Sequence, residues 1–227
     1  MSIPEIFLKP YDPASNEKDI YALWEKSGYF NPDNLPGERP EQFSIVMPPP
    51  NANASLHAGH ALVFTIEDIM MRFERMRGKK AVWLPGADHA GFETQVVYEK
   101  KLDKEGRSRF QMTREELYSE IWDFVQANKS FMEDQIRSLG ASCDWSRSLF
   151  TLDDQVVKIV YDTFKKLEDD ELLYRGARIV NWCPKHQTSL SNLETIYHER
   201  KDPFYYFKYG PFTIGTARPE TKFGDKY

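Results

Sequence analysis

No stretch of this 227-residue chain approaches the roughly 18 consecutive apolar residues of a membrane-spanning helix, so no membrane partner is expected. The opening residues, MSIPEIFLKP, lack the basic and apolar blocks of a secretory signal, and the chain reads as cytoplasmic. Cysteine is scarce. Cys143 and Cys183 are the only 2, far apart in sequence, which in an intracellular chain argues against a structural disulfide and for a metal or plain thiol role. Basic residues are not in excess: a formal net charge of −5 argues against a small module that coats nucleic acid by phosphate neutralisation alone. A large enzyme with one local basic face remains compatible with it. The glycine- and lysine-bearing string of a Walker loop is absent, as are internal repeats and low-complexity tracts.

What is present is 41% hydrophobic and 14% aromatic content, enough for a sizeable core and one large domain, or one domain plus a fragment. Residues 1–40, rich in Pro, Asp and Asn, hold one amphipathic piece at 16–26 with Ile20 and Trp24 on one face, which predicts a short helix followed by a loop. Phe43, Ile45, Val46 and Met47 form a short apolar run stopped by Pro48, as in a buried parallel strand. Leu62, Ile66, Ile69, Phe73 and Met76 then recur at spacings of four and three until Gly78, which predicts one helix with a glycine cap. Residues 81–84 make a second strand, ended by Pro85 and Gly86, so strand, loop, helix and strand compose a βαβ unit.

Two longer helices follow. Thr113 with Glu116 is a capping box, and Thr151 with Asp154 a weaker version of one. Their apolar stripes (Leu117, Ile121, Phe124, Ile136 and Leu139, then Val156, Val160, Phe164 and Leu167) are expected to pack on something. Ile179, Val180 and Trp182 predict another short strand. From Phe204 the pattern turns aromatic and alternating up to Tyr209, and with Gly210, Pro211 and the run Phe212, Thr213, Ile214 it predicts a β-hairpin. Those aromatics are expected as strand core rather than as a base-stacking platform.

The stretch PPPNANASLHAGHAL, residues 48–62, follows a predicted strand and opens a predicted helix. Open α/β sheets bind ligands beyond the carboxyl ends of their strands, and helix N-termini present unpaired N–H groups with partial positive charge. His57 and His60, three apart, share a face there and can both reach a phosphate, while Gly59 between them leaves room for a flat ring or sugar. A nucleoside phosphate is the expected ligand. Two histidines on a helix also serve, more often, as a cap or surface pair; the position between strand and helix is what favours the ligand. At the end of the second strand, GADHAGFETQ (86–95) places Asp88 near the first loop, where a carboxylate beside rigid prolines can hold an ammonium group. Taken alone, Gly-Ala-Asp is equally an ordinary strand-to-helix turn.

These strings resemble a known family. LHAGH is similar to the HIGH signature of class I aminoacyl-tRNA synthetases, and MPPPNANASLHAGHA with LPGADHAGFETQ, RSLGASCDWSR and NWCPKHQTSLSNLE resembles the valyl branch over nearly the whole chain. The isoleucyl and leucyl branches usually carry Gly-Trp-Asp where Gly86-Ala87-Asp88 stands here. The fold implied is α/β: the first half of a class I synthetase Rossmann-like parallel sheet with flanking helices (41–196), after an N-terminal helix and loop (1–40), then the start of a β-rich editing domain (197–227). The resemblance implies activation of valine by ATP, entering with Mg2+, to valyl-adenylate, and transfer to tRNA(Val). His57 and His60 would then contact the ATP phosphates and Gly59 would underlie the adenosine. Asp88 would pair with the valine ammonium, Asn51 and the carbonyl of Pro48 or a neighbouring proline would add contacts, and Pro49 would pack on the isopropyl group. Asn53-Ala54, where the family often has Thr-Gly, and Phe92-Glu93, where it often has Ile-Ala, depart from the pattern beside the binding residues rather than on them.

GTARPET, 215–221, is similar to the start of the family's editing domain, which implies Thr216, Arg218 and Thr221 as lining of a hydrolytic pocket for mischarged threonine; read locally it is a plain β-turn. Another HIGH-bearing nucleotidyltransferase would not be expected to carry that string. Cys183 and His186, spaced C-x2-H, are half of a tetrahedral Zn2+ site, with no second pair in the chain. Cys143 reads as a small core residue. The family's Lys-Met-Ser-Lys-Ser loop, the second half of the sheet, most of the editing domain and the anticodon-binding helices are missing, so the chain is expected to be an N-terminal fragment: a truncation, or alternatively a non-catalytic binding module or one piece of a split enzyme that needs a complementary chain. A half-built sheet with an unpaired edge is expected to be marginally soluble alone. Without the lysines of that loop to neutralise the leaving pyrophosphate, the isolated chain should show little or no ATP–pyrophosphate exchange; turnover near that of a full synthetase would contradict this.

Overall fold

The computed structural model describes residues 4–224, so the extreme ends of the 1–40 and 197–227 segments lie outside the described residues. The chain divides into two compact units, residues 1–173 and 174–227. The composition change at 197 lies within the second. The first unit runs α1 (Pro13–Ser27), β1 (Gln42–Val46), α2 (Ala58–Met76), β2 (Lys80–Leu84), β3 (Gly86–Ala87), α3 (Gly91–Lys104), α4 (Arg114–Ser138), β4 (Leu149–Phe150) and α5 (Asp154–Asp169). It is a mixed α/β fold, and its strand pairs are parallel.

β1 pairs with β2 in parallel, from Gln42 opposite Lys80 to Val46 opposite Leu84, and β3 pairs in parallel with β4. Backbone hydrogen bonds show that residues 80–88 act as one central segment whose successive residues face opposite neighbours. On the even side, Lys80 N–H donates to Glu41 O (2.7 Å), Met47 N–H to Leu84 O (2.9 Å), and Asp88 N–H to Pro50 O (2.9 Å). On the odd side, Trp83 O accepts from Asp144 N–H (2.9 Å), Pro85 O from Leu149 N–H (3.4 Å), and Ala87 O from Thr151 N–H (3.1 Å). Pro85 has no N–H to give to that side, which splits the segment into β2 and β3 without ending it. The strand expected to end at Pro85 thus continues to Asp88, and β4 has two residues, too few to carry a periodic signal in the sequence.

Two clusters fill the interior. Met47, Phe64, Met71, Trp83, Ile136 and Cys143 belong to one, and Ala87, Val125, Met132 and Phe150 to the other. Cys143 is fully buried, as expected of a small core residue, and burial pushes its thiol pKa up. The helix expected from the apolar spacing at 62–76 is present, with Gly78 at φ 86° beyond its end, but its orientation is not the one the spacing suggests. Leu62, Ile69, Phe73 and Met76 are all more than half exposed, whereas Phe64 and Met71 are buried. The inward face is otherwise polar, and its polar groups are mostly matched, with Arg75 Nε buried and left without a hydrogen-bond partner among the described residues. Trp83 Nε1–H donates to Glu67 (3.0 Å), and burial raises the Glu67 pKa. Asp68 accepts from Arg72 Nε (2.7 Å), from Ser142 N–H (3.0 Å) and from the Ser142 hydroxyl, while Arg75 Nη2 donates to Ser142 O (2.8 Å).

α1 also turns differently. Ile20 and Trp24 are partly exposed, and Tyr21 is the buried contact, its hydroxyl donating to Ala141 O (2.8 Å) and accepting from Trp145 Nε1 (2.8 Å). The Thr113–Glu116 capping box forms as expected. Thr151 caps no helix: α5 starts at Asp154 behind Asp153, and the Thr151 side chain is engaged elsewhere. No residue of α5 is buried, and Val160 and Phe164 lie mostly in solvent. The second unit holds two antiparallel hairpins, β5 (Asn181–Cys183) with β6 (Thr188–Leu190) and β7 (Tyr205–Tyr209) with β8 (Phe212–Thr216). β5 begins two residues later than the apolar run at Ile179.

Asp68→Ala removes three hydrogen-bond contacts, among them the ion pair with Arg72, and leaves the Ser142 amide without its acceptor. It should destabilise the first unit by about 3 kcal/mol, read by chemical denaturation of the protein, and a loss within experimental error of zero would show the network to be ornamental.

Candidate active site

The chain leaving β1 crosses the carboxyl ends of the strands. Ala52 N–H donates to Asp88 O (2.8 Å) and Asp88 N–H to Pro50 O (2.9 Å), so Asn51 and Asp88 face each other in a parallel bridge at neighbouring strand ends. The two loops read from sequence therefore do meet. Pro48 and Pro49 are exposed and Pro50 is buried. A Cβ added at Gly86 would stand 3.2 Å from Leu149 O and 3.6 Å from Pro49 Cβ, so the bare glycine keeps the first proline-rich turn close to the strand end.

Asp88 uses its two oxygens unequally. Oδ1 accepts from Ala90 N–H (3.0 Å) and from the Thr151 hydroxyl (3.1 Å). Oδ2 has no hydrogen-bond partner among the described residues, and the side chain is 37% exposed. Ala90 at φ 54° and Gly91 at φ 41° turn the chain sharply into α3, which is what brings the Ala90 amide onto the carboxylate. An acceptor held on one side and open on the other is suited to receive a cation.

At the start of α2 the two histidines form a reciprocal cap. His57 Nδ1 accepts from Gly59 N–H (3.1 Å), and His60 Nδ1 accepts from His57 N–H (3.3 Å). The rings stack with centroids 3.9 Å apart. A ring nitrogen that accepts carries no proton, so each neutral imidazole holds its proton on Nε2, away from the backbone. Two N–H donors thus sit on the first turn of a helix, where the macrodipole adds its positive end. Gly59 has a further role that its sequence position did not reveal: a Cβ there would lie 2.9 Å from His57 Cε1, so a side chain would push the His57 ring off its cap. The cap that the sequence offered as the alternative to ligand contact is thus formed, and it leaves both Nε2–H groups free of the backbone.

The other expected site residues lie in the second unit. Thr216, Arg218 and Thr221 come together locally at the end of β8, where Arg218 N–H donates to Thr216 Oγ1 (3.0 Å) and Thr221 Oγ1–H to Arg218 O (2.7 Å). Cys183 Sγ and His186 Nδ1 lie 3.3 Å apart, and His186 N–H points at the sulfur (3.5 Å). These are two of the four donors a structural zinc requires. No cluster of three or more His, Cys, Asp or Glu is gathered among the described residues, so the residues present do not complete a zinc site. Two residues that carried no site assignment in the sequence reading converge on Asp88. Thr151 has the spacing of a helix cap, and His89 lies inside the 86–95 stretch with no spacing that marks it.

Burial, and then the neighbouring His57, lower the His60 pKa below its ordinary 6.5. Above about 6.5 the folded and unfolded rings are both neutral and the shift has no effect. As pH falls from there towards the lower folded pKa, the unfolded ring takes its proton first and the cap's contribution to stability is lost. A ring-proton NMR titration should place the His60 midpoint below 6.5, with faster exchange of the His57 amide, which His60 Nδ1 accepts, on acidification; a midpoint at or above 6.5 would contradict the burial argument.

Comparison with known proteins agrees with this geometry. The family described as tRNA synthetases class I (I, L, M and V) matches residues 19–210. The chain is 48% identical over 223 residues to the valine–tRNA ligase, chloroplastic/mitochondrial 2, of Arabidopsis thaliana, covering 96% of this chain and 23% of that protein. It is 44% identical to the valine–tRNA ligase of Dehalococcoides mccartyi (98% and 26% covered) and 42% identical to that of Aquifex aeolicus (96% and 20%). The chain thus spans about a quarter or less of the length of these relatives. Among solved structures, a ternary complex of the Agrobacterium radiobacter K84 agnB2 LeuRS with tRNA and LeuAMS matches with a TM-score of 0.66 at 23% identity, over 82% of this chain and 22% of that one. No helix among the described residues is long and apolar enough to cross a membrane. The match over most of the chain, on a fold of parallel strand pairs with a histidine-capped helix, places this protein among the class I tRNA synthetases of the I, L, M and V group.

Proposed function

We infer that this chain carries the amino-acid and ATP site of a valine–tRNA ligase. The observation that carries the reading is the pairing at one sheet end of an Asp88 oxygen left open with a helix start whose two imidazoles present outward Nε2–H donors. The identity to three valine–tRNA ligases over nearly the whole chain supports valine as the substrate. In the first step a carboxylate oxygen of valine attacks the α-phosphorus of ATP, and the bond to the bridging oxygen of pyrophosphate breaks. In the second, a terminal ribose hydroxyl of tRNA(Val) attacks the adenylate's carbonyl carbon and AMP leaves. Such chemistry needs alignment and charge stabilisation rather than a covalent enzyme intermediate. Asp88 Oδ2 takes the valine ammonium, the Asn51 side chain and a carbonyl of the Pro48–Pro49 turn add contacts, and Pro49 packs on the isopropyl group. His57 and His60 donate to the phosphates, and ATP brings its Mg2+.

Threonine is isosteric with valine, and an apolar pocket rejects the extra hydroxyl only weakly. The turn at Thr216, Arg218 and Thr221 is proposed as the first part of a second, polar pocket that hydrolyses the mischarged product. Zinc at Cys183 and His186 requires two further ligands from outside the described residues. The chain's small share of its relatives' length supports a partner segment, in the same polypeptide or as a separate chain, that supplies the remaining machinery.

In the complete protein, valine-dependent ATP–pyrophosphate exchange tests the reading. His60→Ala should lower kcat about a hundredfold by removing a donor that acts on developing phosphate charge. Isoleucine should support little exchange. Equal activation of isoleucine, or an inert His60→Ala, would refute the assignment.

A further inference from the structure

We propose that Thr151 is a positioning residue for the substrate's ammonium group, with its hydroxyl, oriented by His89, holding one oxygen of Asp88 so that the other faces the amino acid. The inference rests on the reading of Asp88 as the ammonium's partner. Three polar atoms crowd the Thr151 oxygen: His89 N at 2.9 Å, His89 Nδ1 at 2.6 Å and Asp88 Oδ1 at 3.1 Å. A hydroxyl has one proton to give and two lone pairs to receive. The carboxylate can only accept, so the proton goes to Asp88, and both nitrogens of His89 must donate. That requires His89 to carry a proton on Nδ1. If the hydroxyl proton turned to Nδ1 instead, a lone pair of Thr151 would face Asp88 Oδ1 and the carboxylate would be pushed from its place.

The surroundings hold this arrangement. The Thr151 amide donates to Ala87 O (3.1 Å), which fixes its backbone to the strand that ends at Asp88. The hydroxyl of buried Thr94, on α3, donates to His89 O (2.6 Å), and the His89 ring meets Phe150 edge-on with centroids 6.5 Å apart. With Oδ1 engaged by Thr151 and the Ala90 amide, the carboxylate plane has little freedom, and Oδ2 is presented already oriented. Thr151 touches no substrate atom in this scheme. It acts through Asp88.

The test uses the complete protein and steady-state ATP–pyrophosphate exchange, with valine and ATP varied separately. Thr151→Val, which keeps the shape and removes the hydroxyl, should raise KM for valine about tenfold, the worth of one hydrogen bond to a charged group, and leave KM for ATP within twofold. Thr151→Ser should restore KM for valine to within threefold of the parent. If Thr151→Val does not fold, Thr151→Ala takes its place in the same comparison. Asp88→Asn separates the two levels of the argument. A raised KM for valine in Asp88→Asn with no change in the hydroxyl-less variant overturns the role of Thr151 alone, whereas an unchanged KM in Asp88→Asn overturns the reading of Asp88 itself. Equal damage in Thr151→Val and Thr151→Ser, or parallel loss of ATP affinity, also overturns the proposal, because it is the mark of a merely structural contact.

Discussion

The parallel ladder through residues 80–88 is the constraint on which the rest of the first unit depends. Each residue of a strand turns its backbone polar groups to the side opposite its neighbour's, so this one segment is bound to 41–52 through its even residues and to 144–151 through its odd ones. Asp88 is the last residue to which both rows converge. Its amide and carbonyl hold the turn at Asn51, and its carboxylate receives the hydroxyl of Thr151 from the opposite neighbour. Three segments distant in sequence are brought to one point by hydrogen bonds that each strand would make anyway.

A parallel sheet then determines where a helix must start. The chain has to return from the end of β1 to the beginning of β2, and α2 makes that return, with its N-terminus beside the strand ends. The amides of His57 and Gly59 at its start are received by two imidazoles in place of the usual hydroxyl or carboxylate. The choice has a chemical consequence. A Ser or Asp cap would leave an acceptor near the site, whereas a histidine that accepts through Nδ1 must keep a donor on Nε2. One side chain closes the helix and presents an N–H to solvent, and the missing Cβ of Gly59 is what lets the ring fold back far enough to do both.

The two units differ in how far the described residues bring their candidate groups together. In the first, the Asn51–Asp88 bridge and the bond from Thr151 to Asp88 are built by contacts between distant segments. In the second, Thr216, Arg218 and Thr221 are tied to one another by bonds spanning two or three residues, and Cys183 and His186 likewise. A pocket or a tetrahedral metal site needs walls from more than one direction, and those local turns supply a single one.

Much of this was legible in the residues. The strand before Pro48, the helix ended by Gly78, the capping box at Thr113 and the hairpin about Gly210 follow from local physics: proline lacks a donor, glycine accepts positive φ, and a hydroxyl reaches an amide three residues on. The family resemblance was legible too, because its strings are contiguous. The spacing at 62–76 correctly gave the helix but not its inward face. Periodicity records which residues share a side, and the sheet selected instead the side on which Glu67, Asp68 and Arg75 find Trp83 and Ser142. Nor could local reading tell that Thr151 leaves its expected helix cap to hold Asp88, sixty-three residues away. Sequence alone determined the elements and the kind of chemistry, since both are written in neighbouring residues. Which face is buried, which hydroxyl serves which carboxylate and which oxygen stays open were decided only in three dimensions, because a hydrogen bond is awarded to the nearest satisfied geometry and not to the nearest residue in the chain.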